Sequence, residues 1–315
     1  MKKILYLLFR ISITIVAISY IFWEMDFSQL VPILNRYDFF ILTTIIIYSV
    51  STYFYLGFRL RVISHYKITI LTGTKATIIC HGINNILPTK LGEVAKALFL
   101  SMKVKTSKAE AFSIVFWERF LDLNALLLIA IITIFQTKLE LMVLPLSILV
   151  LGLWAFILIT NYWTKSYDKV INLIPILKLK HFLNELHAHV NQRFSWKFLI
   201  KISFFTSIVW GLYCIQTILV LNWLVELHLS LNQLLIVFVI SSAGMALPST
   251  PGAFGVYEAV IVIALGLFGI SKEEAFITAF VMHMIEYIPT TLFTFIIFSK
   301  SKINLSMLLP NSKKN

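Results

Sequence analysis

The chain has 315 residues, of which 59% are apolar, 14% aromatic and only 13% charged. Soluble domains carry about a quarter charged residues, so this balance excludes an ordinary soluble enzyme or binding module and points to a polytopic membrane protein. The formal net charge of +12 does not indicate a nucleic-acid partner, because the basic residues are distributed loop by loop and form no stripe on one soluble face.

The first apolar run, near 4–22, ends in Trp23-Glu24-Met25-Asp26 without a small-residue cleavage site, and is expected to be a retained helix rather than a signal peptide. Further runs near 38–57, 110–135, 141–161, 199–224 and 274–298 are each about long enough to cross ~30 Å of hydrocarbon at ~1.5 Å per residue. Two more stretches, 76–100 and 231–270, are apolar but interrupted. The expected fold class is all-α: a single polytopic membrane domain over 1–315, with about six full spans plus two broken re-entrant helix pairs, or eight spans if those pairs are counted.

Basic residues set the expected orientation. If Lys2, Lys3 and Arg10 are cytoplasmic, so are Arg59, Arg61, Lys67 and Lys75, then Lys103, Lys105 and Lys108, the segment from Lys165 to Lys201 and the tail from Lys300. Only Arg36, Lys138 and Lys272 fall outside, with Arg119 inside the membrane, and both termini are cytoplasmic. The stretch 76–100 then leaves and re-enters the cytoplasm, bending at Asn84-Asn85-Ile86-Leu87-Pro88, where a helix breaker sits beside two amides. An interfacial amphipathic helix is the other reading, given Lys90, Glu93 and Lys96. The second stretch enters from the outer side and breaks at Pro248-Ser249-Thr250-Pro251-Gly252, where Gly252 and Gly255 allow positive φ and Pro251 suits a first helical turn.

The runs 107–122 and 271–286 share Ser107/Ser271, Lys108/Lys272, Glu110/Glu274, Ala111/Ala275, Phe112/Phe276 and Phe116/Phe280, and each ends in a base and an acid three residues apart, Arg119/Asp122 and His283/Glu286. Both follow a Leu-Pro element leading to a Gly and a Glu. This predicts an inverted repeat of elements 76–135 and 231–298, with the copies running in opposite directions. The hydrophilic stretch 162–198, bounded by Tyr162, Trp163, Tyr167 and Trp196, reads as a cytoplasmic interfacial segment with a solvated basic face. Its His181, His187 and His189 lack the i, i+4 spacing of a helical metal site, and no metal or cofactor is expected. Cys80 and Cys214 lie in apolar runs and are expected to be free thiols.

Ionisable residues in apolar helices cost at least ~2.5 kcal/mol on insertion scales, so Glu118, Arg119 and Asp122 need partners or water. They form either a structural ion pair or a polar lining in which Arg119 meets a phosphate through its guanidinium fork. His283 and Glu286 form either a hydrogen-bonded pair or the seat of a proton-coupled step. The breaks at Pro88 and Pro248 present half-helix ends, where Ser249, Thr250, Gly252 and Gly255 leave room for an anion, or else permit tight helix packing. Glu93 and Glu258 belong to the outgoing half-helices. No P-loop, GxGxxG, HExxH or GxSxG motif occurs, so the chain is not expected to be an enzyme.

Four pieces in order, GFRLRVI after the second span, NNILPTKLGEVAKALFL, ERFLD and LPSTPGAFGVYEA, resemble the lysylphosphatidylglycerol synthase transmembrane region, also called the flippase-like or UPF0104 family, over nearly the whole chain. The resemblance implies an inner-membrane protein that moves or exposes lipids. By position it favours Asn85, Pro88, Gly92, Glu93, Glu118, Arg119, Asp122, Pro248, Pro251, Gly252, Gly255 and Glu258 as site residues, to which the residue reading adds Ser249, His283 and Glu286. The fused members of the family carry a C-terminal soluble synthase domain; here the sequence stops at Asn315, so synthesis of the lysyl lipid by this chain alone is not expected. His283 stands where a basic residue such as Arg would be expected. The leading expectation is a flippase-like transporter whose partner is an anionic phospholipid or a polyprenyl phosphate. The alternatives are a scaffold that recruits an envelope-synthesis enzyme through 163–201, and a lipid-modifying transferase component.

Overall fold

The structure is a computed structural model and describes residues 2–87, 91–135, 140–162, 167, 171–247 and 249–300. Pro88 and Pro248, the two expected helix breakers, lie outside the described residues. Among those described, the chain is all α-helical: α1 (Lys2–Phe22), α2 (Leu30–Leu34), α3 (Phe39–Ile63), α4 (Ile70–Ile86), α5 (Gly92–Val104), α6 (Lys108–Ile134), α7 (Val143–Tyr162), α8 (Leu177–Arg193), α9 (Trp196–Ile218), α10 (Leu231–Gly244), α11 (Val256–Gly266) and α12 (Lys272–Lys300). Helix α9 runs on as a π-helix over Leu219–Leu224. Large apolar side chains such as Ile47, Phe54, Ile148, Leu151, Ile200, Phe204, Leu292 and Phe295 are exposed along these helices. Water would penalise so much apolar surface and lipid does not, so the fold is that of a polytopic membrane protein.

Three helices are both long and apolar enough to cross a membrane, Phe39–Ile63, Trp196–Leu224 and Lys272–Lys300, and the pair Leu8–Phe22 and Phe27–Leu34, bent by 80°, makes a fourth if taken as one span. Helix α6 has the length, with 27 residues, but Glu118, Arg119 and Asp122 interrupt its apolar run. In α7 the apolar part is Val143–Ile159. Both interrupted stretches are helix–break–helix: α4 ends at Ile86 and α5 starts at Gly92, while α10 ends at Gly244 and α11 starts at Val256. Each precedes a long helix, α6 or α12, that begins with a Ser–x–x–Glu cap: Ser107 Oγ accepts from the Glu110 N–H at 3.1 Å and Ser271 Oγ from the Glu274 N–H at 3.3 Å.

The chain forms two compact units. The first comprises 1–54, 77–92 and 211–315; in it α11 packs against α1, α10 and α12, and α2 against α12. Its core includes Val220, Leu221, Val237, Ile261, Leu265, Ala275 and Ile285. The second comprises 55–76 and 93–210, with α6 packed on α7 and α8. Lys178 and His181 of the hydrophilic segment are exposed, but the end of the segment is drawn into the fold. Helix α8 lies on α6, where Trp117 donates its indole N–H to the Val190 carbonyl at 3.2 Å. Arg193 is buried, donating to Ser113 at 2.6 Å and to Glu110 at 3.1 Å. Burial pulls the Arg193 guanidinium below its ordinary pKa, and Glu110 opposes that pull. A guanidinium flanked by a carboxylate can be buried where a lone one cannot, which the local polarity of 162–198 does not reveal.

In the second unit α3 and α4 touch backbone to backbone at Gly57 and Gly73. A Cβ on Gly73 would stand 2.5 Å from the Gly57 carbonyl oxygen, and one on Gly57 would stand 2.6 Å from that of Ile70. Small residues permit this close approach, which drives helix association in lipid. Gly57→Leu is therefore expected to lower the thermal midpoint and monodispersity of purified protein in detergent, at a cost of at least 1–3 kcal/mol or so. Gly152→Leu, at a glycine with nothing within 4 Å, should leave both unchanged.

Candidate functional site

Each unit contains its own polar centre. In the second, α6 places Glu118 and Asp122 one turn apart on one face. Glu118 is fully buried. Its Oε2 meets Lys96 Nζ at 2.6 Å, and its Oε1 meets Arg59 Nη2 at 3.1 Å and Arg119 Nη2 at 3.3 Å. Asp122 takes Arg59 Nη1 at 2.5 Å, Arg119 Nη2 at 2.9 Å and the Trp210 indole N–H at 3.1 Å. The expected Arg119–Asp122 contact is present, but the principal counter-charges are Arg59 and Lys96, each only 1% exposed. From sequence, Arg59 is expected in a cytoplasmic loop, and Lys96 enters only the alternative reading of 76–100 as an interfacial helix. Helix α3 continues past its apolar run to Ile63, carrying Arg59 onto the α6 carboxylates, and α5 does the same with Lys96. Arg59, Lys96 and Arg119 thus meet Glu118 and Asp122 in one cluster. The side chain of Arg119 is 42% exposed.

The first unit is built differently. His283 Nδ1 lies 2.6 Å from Glu258 Oε1, not on Glu286. The expected His283–Glu286 pair is thus replaced by a contact between α12 and α11. Glu258 Oε2 accepts the Gly255 N–H at 2.6 Å, so the start of α11 is closed by the chain's own carboxylate. The His283 ring stands 4.8 Å from both Phe254 and Tyr257, centroid to centroid.

Glu286 has other partners. Its Oε1 accepts from Ser49 Oγ at 2.7 Å and Gln216 Nε2 at 2.8 Å, and its Oε2 from Tyr53 OH at 3.0 Å. Pro289 interrupts α12 just beyond, and Thr290 donates to the Glu286 carbonyl at 2.6 Å. A cavity of about 230 Å³ opens here, lined by His81 and Asn85 of α4, Gln216 and Tyr213 of α9, Val220 of the π-helix, Ser241 and Ser242 of α10, Tyr257 of α11, and His283, Glu286 and Tyr287 of α12. π-Helical turns recur at functional sites because they displace side chains from the α-helical register.

The remaining expected residues serve largely to hold these centres. Asn85 donates to Thr290 and Thr291, both at 3.0 Å, pinning α4 to α12. The Gly92 N–H donates to Asn84 Oδ1 at 2.7 Å, and a Cβ at Gly92 would strike the Cys80 carbonyl. The buried Ser249 carbonyl accepts from Arg10, itself buried rather than a solvated orientation charge. Gly252 (φ 68°) and Gly255 (φ 79°) adopt left-handed backbone, but their Cβ positions are taken up by Tyr287 and Ile18 within 2.8 Å and 2.7 Å. The room expected for an anion at these glycines is therefore filled by packing. Pro251 opens a single 3-10 turn, Pro251–Ala253. Glu93 lies in the first turn of α5, outside both centres. Sequence reading missed Arg59 and Lys96 as ion partners, and Ser49, Tyr53, His81 and Gln216 as neighbours of Glu286. The available signal was polar spacing in apolar helices, with Ser49/Tyr53 and His81/Asn85 each four residues apart.

The profile of the family described as the lysylphosphatidylglycerol synthase TM region matches residues 7–293. The chain belongs to that family. No curated protein matches it.

Removing one partner of a buried ion cluster strands the others in low dielectric. Glu118→Leu is expected to destabilise the second unit by about 3–5 kcal/mol, whereas Arg119→Leu, at a half-exposed cation, should cost about 1 kcal/mol or less. Thermal unfolding of the two variants in the same detergent measures the difference.

Proposed function

We propose that this member of the lysylphosphatidylglycerol synthase TM region family is a flippase-like lipid transporter. On this reading it moves or exposes a phospholipid or a polyprenyl-phosphate-linked lipid across the inner membrane, with both termini cytoplasmic and without catalysing a reaction. The family match supports a role in membrane lipid biology. The observation that carries the finer reading is Arg119. It is a guanidinium in the middle of an apolar helix, and its side chain is 42% exposed. That exposed fork matches a lipid phosphate with bidentate geometry, while acyl or prenyl chains stay in the bilayer. On the scaffold reading, a partner would have to use the exposed part of the basic segment, because Val190 and Arg193 are engaged with α6.

The test is reconstitution into liposomes, following transbilayer exposure of labelled phospholipids and a labelled polyprenyl phosphate. Wild-type protein should accelerate at least one lipid over protein-free liposomes. Arg119→Ala should slow it ~10-fold or more, equivalent to about 1.4 kcal/mol in the barrier, while remaining folded. Exposure no faster than in protein-free liposomes for every lipid would remove the reading.

A further inference from the structure

We propose that Glu286 is a proton-binding site of the first unit's cavity, loaded from His81 through Tyr53. The other buried carboxylates near it or like it have a basic partner. Glu118 has Lys96, Arg59 and Arg119, Glu110 has Lys67 and Arg193, and Glu258 has His283. Among the described residues, Glu286 makes no ion pair and is held by three neutral donors, Ser49, Gln216 and Tyr53. An ionised carboxylate inside an apolar helical unit is strongly disfavoured without a counter-charge, and the smallest counter-charge is a proton.

The surroundings offer a route for it. Tyr53 OH lies 3.0 Å from Glu286 Oε2 on one side and 3.4 Å from His81 Nδ1 on the other, and His81 and Glu286 both line the cavity. Facing this wall, α9 contributes Tyr213 and α11 contributes Tyr257. Glu258 and His283 are occupied with each other. The transfer balances in two moves. Tyr53 passes its hydroxyl proton to Glu286 Oε2 and takes the Nδ1 proton of a His81 imidazolium, leaving neutral imidazole. Afterwards Glu286 O–H donates to the tyrosine oxygen and Tyr53 O–H donates to His81, so every hydrogen bond survives with its direction reversed. The transfer turns an imidazolium and a carboxylate into two neutral groups with no change in net charge, and the wall becomes negative only when the proton leaves both residues.

The experiment is pH-difference infrared spectroscopy of the purified full chain in lipid nanodiscs. Wild-type protein should show the carbonyl stretch of a protonated carboxyl group, lost as the pH rises. The band should be absent in Glu286→Gln. In Tyr53→Phe it should persist at a shifted frequency, because the hydrogen bond at Oε2 is gone. The second variant assigns the band even if the first does not fold. A wild-type spectrum without such a band, or a band unchanged in both variants, would overturn the proposal. Because the readout follows a carboxyl group and not lipid movement, failure here is separate from failure of the transport reading.

Discussion

Burying Glu118 is the constraint on which the second unit depends. A carboxylate with no exposed surface, in a helix otherwise suited to lipid, is tolerable only if cations are delivered to it from elsewhere in the chain. Arg59 and Lys96 do so from α3 and α5, which fixes how far α3 must extend and requires α5 to present its lysine to α6. In the same unit the glycines of α3 and α4 let two helix backbones approach closely. The ion cluster acts as a registry device as much as a source of stability. Apolar helices slide at little cost, whereas a shift of one turn would strand several charges.

The two helices with similar sequences, α6 and α12, show which part of a repeat signal is structural. Ser107/Ser271 and Glu110/Glu274 recur because both helices begin with the same cap, a demand that any helix start of this kind makes. Ala111 and Ala275 are both fully buried, which close packing explains. The base and acid near the middle of each helix diverge. Arg119 does reach Asp122, but His283 turns to Glu258 and Glu286 to neutral donors. The long guanidinium can span two carboxylates on its own helix, while a compact imidazole satisfies one close partner. Replacing Arg by His therefore releases the acid three residues on.

Much of the fold was legible because membrane helices are written in local composition. The apolar runs, the interruptions between 76 and 100 and between 231 and 270, and the unusual acids and bases all stand out without tertiary information. Partner identity did not, because it depends on residues far apart in sequence. Arg10 and Arg59 read as orientation charges, since a count of lysines and arginines cannot tell a solvated one from one aimed at Ser249 or Glu118. The glycines at 252 and 255 read as able to adopt positive φ, and they do, yet positive φ says nothing about whether the space beside them is empty. Tyr287 and Ile18 fill it. The start of α11 shows the same limit, because Glu258 reads as part of an outgoing half-helix but its role in closing the helix start does not show.

The two polar centres hold their carboxylates by different means. Glu118 and Asp122 are met by the guanidinium groups of Arg59 and Arg119 and the ammonium of Lys96, so removing either buried cation, Arg59 or Lys96, leaves charge stranded in low dielectric. Glu286 is met by a hydroxyl, a phenol and an amide, each of which can be lost without stranding an opposite charge. At the start of α11, Glu258 already occupies the helix dipole that an anion would use. The α6 centre is therefore fixed by charge pairing across helices, and the α12 centre by neutral hydrogen bonds around a cavity.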